Sequence, residues 1–139
     1  MVVRMMRSNM RWATAPLMHD FCAISLSDCL TSWESIEKRI KAAAKSDFVI
    51  AFYNPRSKDR DWQLKSALEI IREYRLPNTP VVLARQIARP SEMLELYSLQ
   101  SVPLNKVDML TLVLIGNSQS FVQDGWFVTP RGYLENSKI

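Results

Sequence analysis

The chain has 139 residues, 47% of them hydrophobic and 23% charged, which suits one domain with a real core and is too short for two comfortable ones. The net charge is +4, but the basic residues are spread along the chain, so the sequence does not predict a nucleic-acid partner. No apolar stretch is long enough to cross a bilayer, and we predict no membrane partner.

The single histidine and the two cysteines lack the spacing of a metal site. We therefore predict no bound metal, and we expect reduced thiols in a cytoplasmic protein. His19 beside Asp20 is a possible oriented base, although such a pair more often lies in a solvated loop.

The composition divides the chain into three segments. Residues 1–13 are basic and free of acids, and we expect a disordered leader there. Residues 14–133 form the predicted domain, and residues 134–139 are expected to be a loose tail.

The elements, taken in chain order, predict an α/β fold with a mixed five-stranded sheet flanked by helices. Predicted strands cover residues 21–26, 47–53, 81–84, 93–99 and 109–115, followed by a closing hairpin over 121–128. Residues 93–99 also permit a helix, because they are rich in Leu and Glu. Predicted helices occupy 31–44 and the periodic segment around 64–71.

Both predicted helices have candidate capping residues. Thr31 and Glu34 have the spacing of a capping box for the first helix. Asp59 or Asp61 can cap the second helix.

Polar residues follow the apolar runs at the point where each predicted strand ends. They are Ser25, Ser27 and Asp28; Tyr53 and Asn54; Arg85 and Gln86; and Gly116 and Asn117. Ligands bind outside the carboxyl ends of strands in open α/β sheets, so we expect three or four of these ends to converge on one rim. The alternative is a set of buried strands that end in ordinary turns.

The chemistry of this predicted rim suits a planar, polar ligand. The amides of Asn54 and Asn117 can read an amide or a purine edge, and Tyr53 can pack on a ring. Gly116 would let a ligand approach the backbone closely. Arg56 and its cationic neighbours can meet the carboxylates of an acidic substrate, or they can form a solvated loop.

Four motifs in order give the sequence a specific resemblance. They are His-Asp-Phe-Cys-Ala-Ile-Ser-Leu-Ser-Asp at 19–28 with Thr-Ser-Trp-Glu at 31–34, Phe-Tyr-Asn-Pro-Arg-Ser at 52–57, Ile-Gly-Asn-Ser-Gln at 115–119, and Asp-Gly-Trp-Phe-Val-Thr-Pro-Arg-Gly-Tyr at 124–133. Together they resemble the precorrin-3B C17-methyltransferases, which are S-adenosylmethionine-dependent tetrapyrrole methylases of cobalamin biosynthesis. The resemblance covers residues 15–133 and corresponds to the C-terminal domain of that family.

The resemblance implies methyl transfer to C17 of precorrin-3B or cobalt-factor III, coupled to ring contraction. By the same resemblance, the cofactor-binding residues are Tyr53, Asn54, Arg85, Gly116 and Asn117. Ser25, Ser27, Asp28 and Arg56 are implied to face the tetrapyrrole substrate. No covalent nucleophile or metal ligand is needed, because the sulfonium of the cofactor is already activated.

The family has an N-terminal domain that supplies a glycine-rich cofactor loop, and residues 1–13 do not resemble it. We therefore expect the chain to lack activity alone. It either works with a separately encoded, missing N-terminal half or is a truncated, catalytically silent piece. The other hypothesis is a degenerate binding or assembly domain that self-associates as a homodimer, because exposed apolar patches seldom stay bare.

Overall fold

The computed structural model describes residues 2–5, 13–16 and 20–129. The strands are β1 Val2–Met5, β2 Ala13–Pro16, β3 Phe21–Ser25, β4 Val49–Tyr53, β5 Pro80–Arg85, β6 Met93–Ser98, β7 Thr111–Ile115, β8 Phe121–Gln123 and β9 Trp126–Val128. The α-helices are α1 Trp33–Lys45 and α2 Gln63–Arg72, and a short 3₁₀ helix covers Leu104–Lys106. The predicted base His19 lies outside the described residues.

Five strands form one mixed sheet in the order β3-β4-β7-β5-β6. Strand β3 runs parallel to β4, whereas β7 is antiparallel to both of its neighbours and β6 is antiparallel to β5. The predicted α/β fold with a mixed five-stranded sheet is confirmed. The strand interpretation of residues 93–99 is also confirmed, as is the hairpin formed by β8 and β9.

The two faces of the sheet are covered differently. Both helices pack on one face, where alternate strand residues such as Ile50, Phe52 and Val113 join the main core. A smaller apolar cluster on the opposite face includes Ala51 and Leu114 and is covered in part by Phe127 of β9. We call this second surface the hairpin face.

The helix caps differ from those predicted. The N-cap of α1 is Ser32, one residue after Thr31, and its Oγ accepts a hydrogen bond from the Ser35 amide at 3.3 Å. Helix α2 begins after Trp62 and has no side-chain cap, so neither Asp59 nor Asp61 plays that role. The predicted capping roles of Thr31, Asp59 and Asp61 are therefore wrong.

Strand β1 lies within the expected leader at 1–13, and β2 begins at its last residue, Ala13. Strand β1 pairs antiparallel with β2 to form a separate two-stranded ribbon. The expected tail at 134–139 lies outside the described residues, and the domain boundaries stay predictions. No helix in the described part of the chain has the length and apolar content needed to cross a membrane.

Candidate functional site

The carboxyl ends of three strands share one edge of the sheet, which we call the carboxyl edge. Strands β3, β4 and β5 all run in the same direction, because β4 and β5 are each antiparallel to β7. Ser25, Tyr53 and Arg85 therefore end their strands at this edge.

The predicted convergence is wrong for Gly116 and Asn117. Strand β7 runs the other way, so these residues leave the sheet at the opposite edge. There the Gly116 amide donates to the Pro80 carbonyl at 2.9 Å, and the Ser118 amide donates to Asp47 Oδ1 at 2.8 Å. The length of a five-residue strand, about 17 Å, separates them from the carboxyl edge.

The space beside Gly116 is filled by the chain itself. A Cβ atom at this position would lie 2.6 Å from the Ser120 Cβ. Asn117 is 2% exposed, and its Oδ1 accepts hydrogen bonds from the Gln119 amide and the Ser120 hydroxyl. Ser120 therefore occupies the space on the side of Gly116 where a side chain would lie. The expectation that a ligand approaches the Gly116 backbone stays a prediction.

Asn54 adopts a left-handed conformation at the end of β4, with a φ of 48°. Its Nδ2 donates to the Ser25 hydroxyl at 3.3 Å, which joins the ends of β3 and β4. The same hydroxyl accepts from the Ser27 amide at 3.3 Å. The Asn54 Oδ1 accepts no hydrogen bond from the part of the chain that the structure describes.

Tyr53 lies next to Asn54 and projects on the hairpin face, because strand residues alternate between faces and Phe52 is in the main core. Its side chain is 44% exposed. A ring with this exposure at a strand end is open to stacking against a planar ligand.

Arg85 is already paired within the chain. Its Nε and Nη2 both donate to Asp108 Oδ2, at 3.0 and 2.6 Å. Hydrogen bonding from Arg85 holds the pKa of the Asp108 carboxyl below its usual range, and Asp108 raises the pKa of Arg85. Asp108 thus occupies the Nε and Nη2 side of the guanidinium, which is one of its donor edges.

Asp28 faces a buried glutamine that the sequence analysis did not single out. The Gln63 Nε2 donates to both carboxylate oxygens of Asp28, at 3.1 and 3.2 Å. Gln63 is 2% exposed, and its Oε1 is buried with no partner in the described structure. The sequence does contain a signal for this burial: Gln63 lies four positions before Ala67, on the apolar face of α2.

The two arginines of the loop after β4 are fixed by backbone carbonyls. Arg56 Nη1 donates to the Leu104 carbonyl at 2.7 Å. Arg60 is buried, and its Nη1 donates to the carbonyls of Leu26 and Asn54. The alternative of a solvated loop is therefore wrong for Arg60, whereas Lys58 and Asp59 are exposed.

Two grooves open beside this loop and meet at Asp108. The larger, of about 470 Å³, is lined by Arg56, Ser57, Lys58, Asp61, Val107, Asp108, Met109 and Leu110. The smaller, of about 320 Å³, is lined by Leu83, Arg85, Met93, Glu95, Lys106, Asp108 and Thr111. Neither of these grooves includes Tyr53 or Asn54. The larger groove combines apolar walls with two cations, Arg56 and Lys58, and two carboxylates, Asp61 and Asp108.

The described residues contain no group of three His, Cys, Asp or Glu that could hold a metal ion. Both thiols are free: Cys22 is half-buried and Cys29 is exposed. Burial raises the pKa of the Cys22 thiol, and the nearby Arg75 guanidinium opposes this effect.

Several curated proteins with related sequences are named as methyltransferases. The chain is 50% identical over 119 residues to a probable cobalt-factor III C(17)-methyltransferase of Salmonella typhimurium, covering 86% of this chain and 49% of that protein. It is 44% identical over 124 residues to a precorrin-3B C(17)-methyltransferase of a Sinorhizobium species, with the same two coverages. The cobalt-factor III methyltransferase of Priestia megaterium is 50% identical over 119 residues, which are 22% of its length.

A solved structure has the same fold. The crystal structure of the methyltransferase CobJ matches 83% of this chain with a TM-score of 0.78 and 43% sequence identity. The match covers 48% of the CobJ chain. No family model matches the sequence. The chain thus spans about half the length, or less, of the relatives it matches.

Proposed function

We propose that this chain, a partial homologue of the cobalt-factor III and precorrin-3B C17-methyltransferases, supplies one half of an S-adenosylmethionine-dependent site for methyl transfer to C17 of a tetrapyrrole. The observation that carries the proposal is the identity of 44–50% to such enzymes over 86% of the chain, together with the shared fold. The resemblance stated from the sequence motifs agrees with these relatives.

The chain's proposed part in this reaction is to bind and orient. S-Adenosylmethionine supplies an activated methyl group, so no protein nucleophile is required. The exposed Tyr53 ring can cover one face of a planar group, and Asn54 Oδ1 can accept from an exocyclic amine. These residues therefore fit a purine-bearing cofactor at the carboxyl edge.

The other residues implied by the resemblance have unequal support. Arg85 ends its strand at the same edge, and Asp108 accepts from its Nε and Nη2. Its proposed cofactor contact would therefore use the remaining donors of the guanidinium. Gly116 and Asn117 lie at the opposite edge and are packed by Ser120. We propose that their main role is to shape the turn after β7.

The substrate is proposed to approach the larger groove. Its apolar residues Val107 and Met109 can contact a macrocycle, while Arg56 and Lys58 can meet the carboxylates at its periphery. Ser25, Ser27 and Asp28 lie at the neighbouring strand end, where the resemblance places substrate contacts.

Binding of a carboxylated tetrapyrrole tests the proposed groove. We expect Lys58→Ala to weaken binding of uroporphyrin III several-fold and to reduce its salt dependence, because one charge attraction is removed. Lys38→Ala removes another exposed lysine, from α1, and is the matched control. Tryptophan fluorescence quenching measures both affinities, and equal effects of the two variants would contradict the proposed groove.

Methyl transfer by the chain alone is not expected. The chain spans about half of its relatives, so half of a cleft would have to align the donor and acceptor and exclude water. The purified chain, incubated with S-adenosylmethionine and cobalt-factor III, should give no methylated product by mass spectrometry. Detectable turnover would overturn this expectation.

A second candidate is an assembly domain that self-associates. The observation that favours it is the exposure of Phe21 and Tyr53, which lie on the hairpin face at 39% and 44%. Size-exclusion chromatography coupled to light scattering tests it: a dimer at micromolar concentration supports this candidate, and a monomer at all concentrations contradicts it.

A further inference from the structure

Arg60 is a buried cation that forms no ion pair with the described residues. Its side chain is 9% exposed, and the described ion pairs involve other residues. An unpaired charge away from water is costly unless its donors are satisfied. Here Nη1 donates to the Leu26 carbonyl at 3.1 Å and the Asn54 carbonyl at 3.2 Å, and Nη2 lies 3.1 Å from the Met109 sulfur.

These three acceptors belong to three separate segments of the carboxyl edge. Leu26 follows β3, Asn54 follows β4, and Met109 precedes β7. The first two segments also join directly, because the Leu26 amide donates to the Tyr53 carbonyl at 3.0 Å. One planar guanidinium thus connects the backbone around Tyr53 and Asn54 to its neighbours.

Asn54, whose carbonyl Arg60 binds, has an uncommon backbone conformation. Asn54 has a φ of 48°, a left-handed value that few non-glycine residues adopt. In this conformation the carbonyl of Asn54 meets Arg60 while its side-chain amide meets Ser25. Releasing the carbonyl would free the residue to return to the extended backbone that a following proline favours.

We propose that Arg60 is a positioning residue for the proposed cofactor contacts: it holds Asn54 in its left-handed conformation and so fixes the direction of the Asn54 amide and the Tyr53 ring. The effect on cofactor affinity rests on the proposed function, whereas the effect on the Asn54 conformation does not. Lysine cannot replace arginine here, because a single ammonium group does not reproduce the planar, multi-donor geometry.

The test compares Arg60→Lys with Arg72→Lys. Arg72 is an exposed arginine of α2 that also donates to a backbone carbonyl, that of Leu99 at 3.0 Å, and it lies outside the proposed site. Selective ¹⁵N labelling of asparagine reports the side-chain amide of Asn54, assigned with Asn54→Asp. Calorimetric titration with S-adenosylhomocysteine reports cofactor affinity.

We expect R60K to move the Asn54 amide resonances and to weaken S-adenosylhomocysteine binding about tenfold or more, whereas R72K changes neither. Unchanged Asn54 resonances in R60K, or equal changes in both variants, would overturn the inference. If R60K does not fold, Arg60→Gln is judged by the same two measurements. Loss of the fold in both would overturn a positioning role, since Arg60 would then be needed for folding itself.

The Asn54 resonances and the calorimetric titration test this inference and the proposed function separately. If the unsubstituted chain binds no S-adenosylhomocysteine, the proposed cofactor site fails, and the Asn54 resonances alone decide whether Arg60 positions Asn54.

Discussion

Gly116 leaves strand β7 at the point where Ser120 folds back against it. The space that a side chain would need is occupied by the Ser120 Cβ at 2.6 Å and by Pro80 Cγ at 3.2 Å. Gly116 thus serves close packing within the turn. This packing fixes the loop that carries Asn117 and Ser118 to the edge near Asp47.

Gly116→Ala should destabilise the chain by about 1–3 kcal/mol, because the new methyl group overpacks this turn. Urea unfolding measures the loss. In a double-mutant cycle, the cost should fall when Ser120→Gly is already present, since the nearest atom is then gone. An equal cost in both backgrounds would contradict the packing explanation.

Asp108 is the residue at which the two grooves meet, and its acidity depends on Arg85. The folded chain lowers the pKa of this carboxyl below its unfolded value of about 3.9. The resulting stabilisation is therefore present above about pH 4 and is lost as the pH falls through the lower, folded value. The effect is small, because both side chains are more than a third exposed.

Asp108→Asn should consequently lower the melting temperature more at pH 6 than at pH 3. Thermal unfolding at both pH values measures the difference. Asp59→Asn removes one carboxylate from an exposed position and controls for the change in net charge. A loss that is equal at the two pH values would rule out the Arg85 contact as its cause.

At the scale of the elements, the N-terminus of helix α1 differs from the one predicted by the local sequence pattern. Ser32 rather than Thr31 is the N-cap, with an extended backbone and a hydrogen bond to the Ser35 amide. The helix buries Ile36 and Ile40 in the main core. That packing sets the start of the helix more strongly than the local capping pattern does.

Ser32→Ala should cost about 1 kcal/mol of stability, the usual effect of removing an N-cap oxygen. Thr31→Ala is the neighbouring control and should stay within about 0.5 kcal/mol of the unsubstituted chain. Urea denaturation of both variants distinguishes the two positions. A larger loss of stability in Thr31→Ala than in Ser32→Ala would contradict the role of Ser32 and support the capping box predicted from the sequence.

Most elements could be predicted from apolar patterns, but their relative directions could not. The runs at β4 and β7 are both short and apolar, and no local feature tells whether two such strands pair parallel or antiparallel. The sequence pattern therefore predicts that the strand ends meet, which holds for β3, β4 and β5, but it does not reveal that β7 runs the other way and carries Gly116 to the opposite edge. The burial of Arg60 could not be predicted, because a charged loop gives no local sign that one of its cations is buried.

At the scale of the whole molecule, the chain has one mixed sheet with helices on one face and a partly covered opposite face. The four motifs supported a family resemblance that the relatives and the CobJ fold confirm. The chain also spans about half the length of those relatives. The ligand contacts at the carboxyl edge stay predictions.

Calorimetric titration of S-adenosylhomocysteine into the purified chain tests the central claim most directly. We expect saturable binding with a Kd between about 10 µM and 1 mM, or roughly −7 to −4 kcal/mol, because the chain matches only about half the length of its relatives. Asn54→Ser should weaken this binding, whereas Asn78→Ser, in the exposed turn after α2, should not. A titration without heat at millimolar ligand would contradict the claim that this chain carries cofactor contacts.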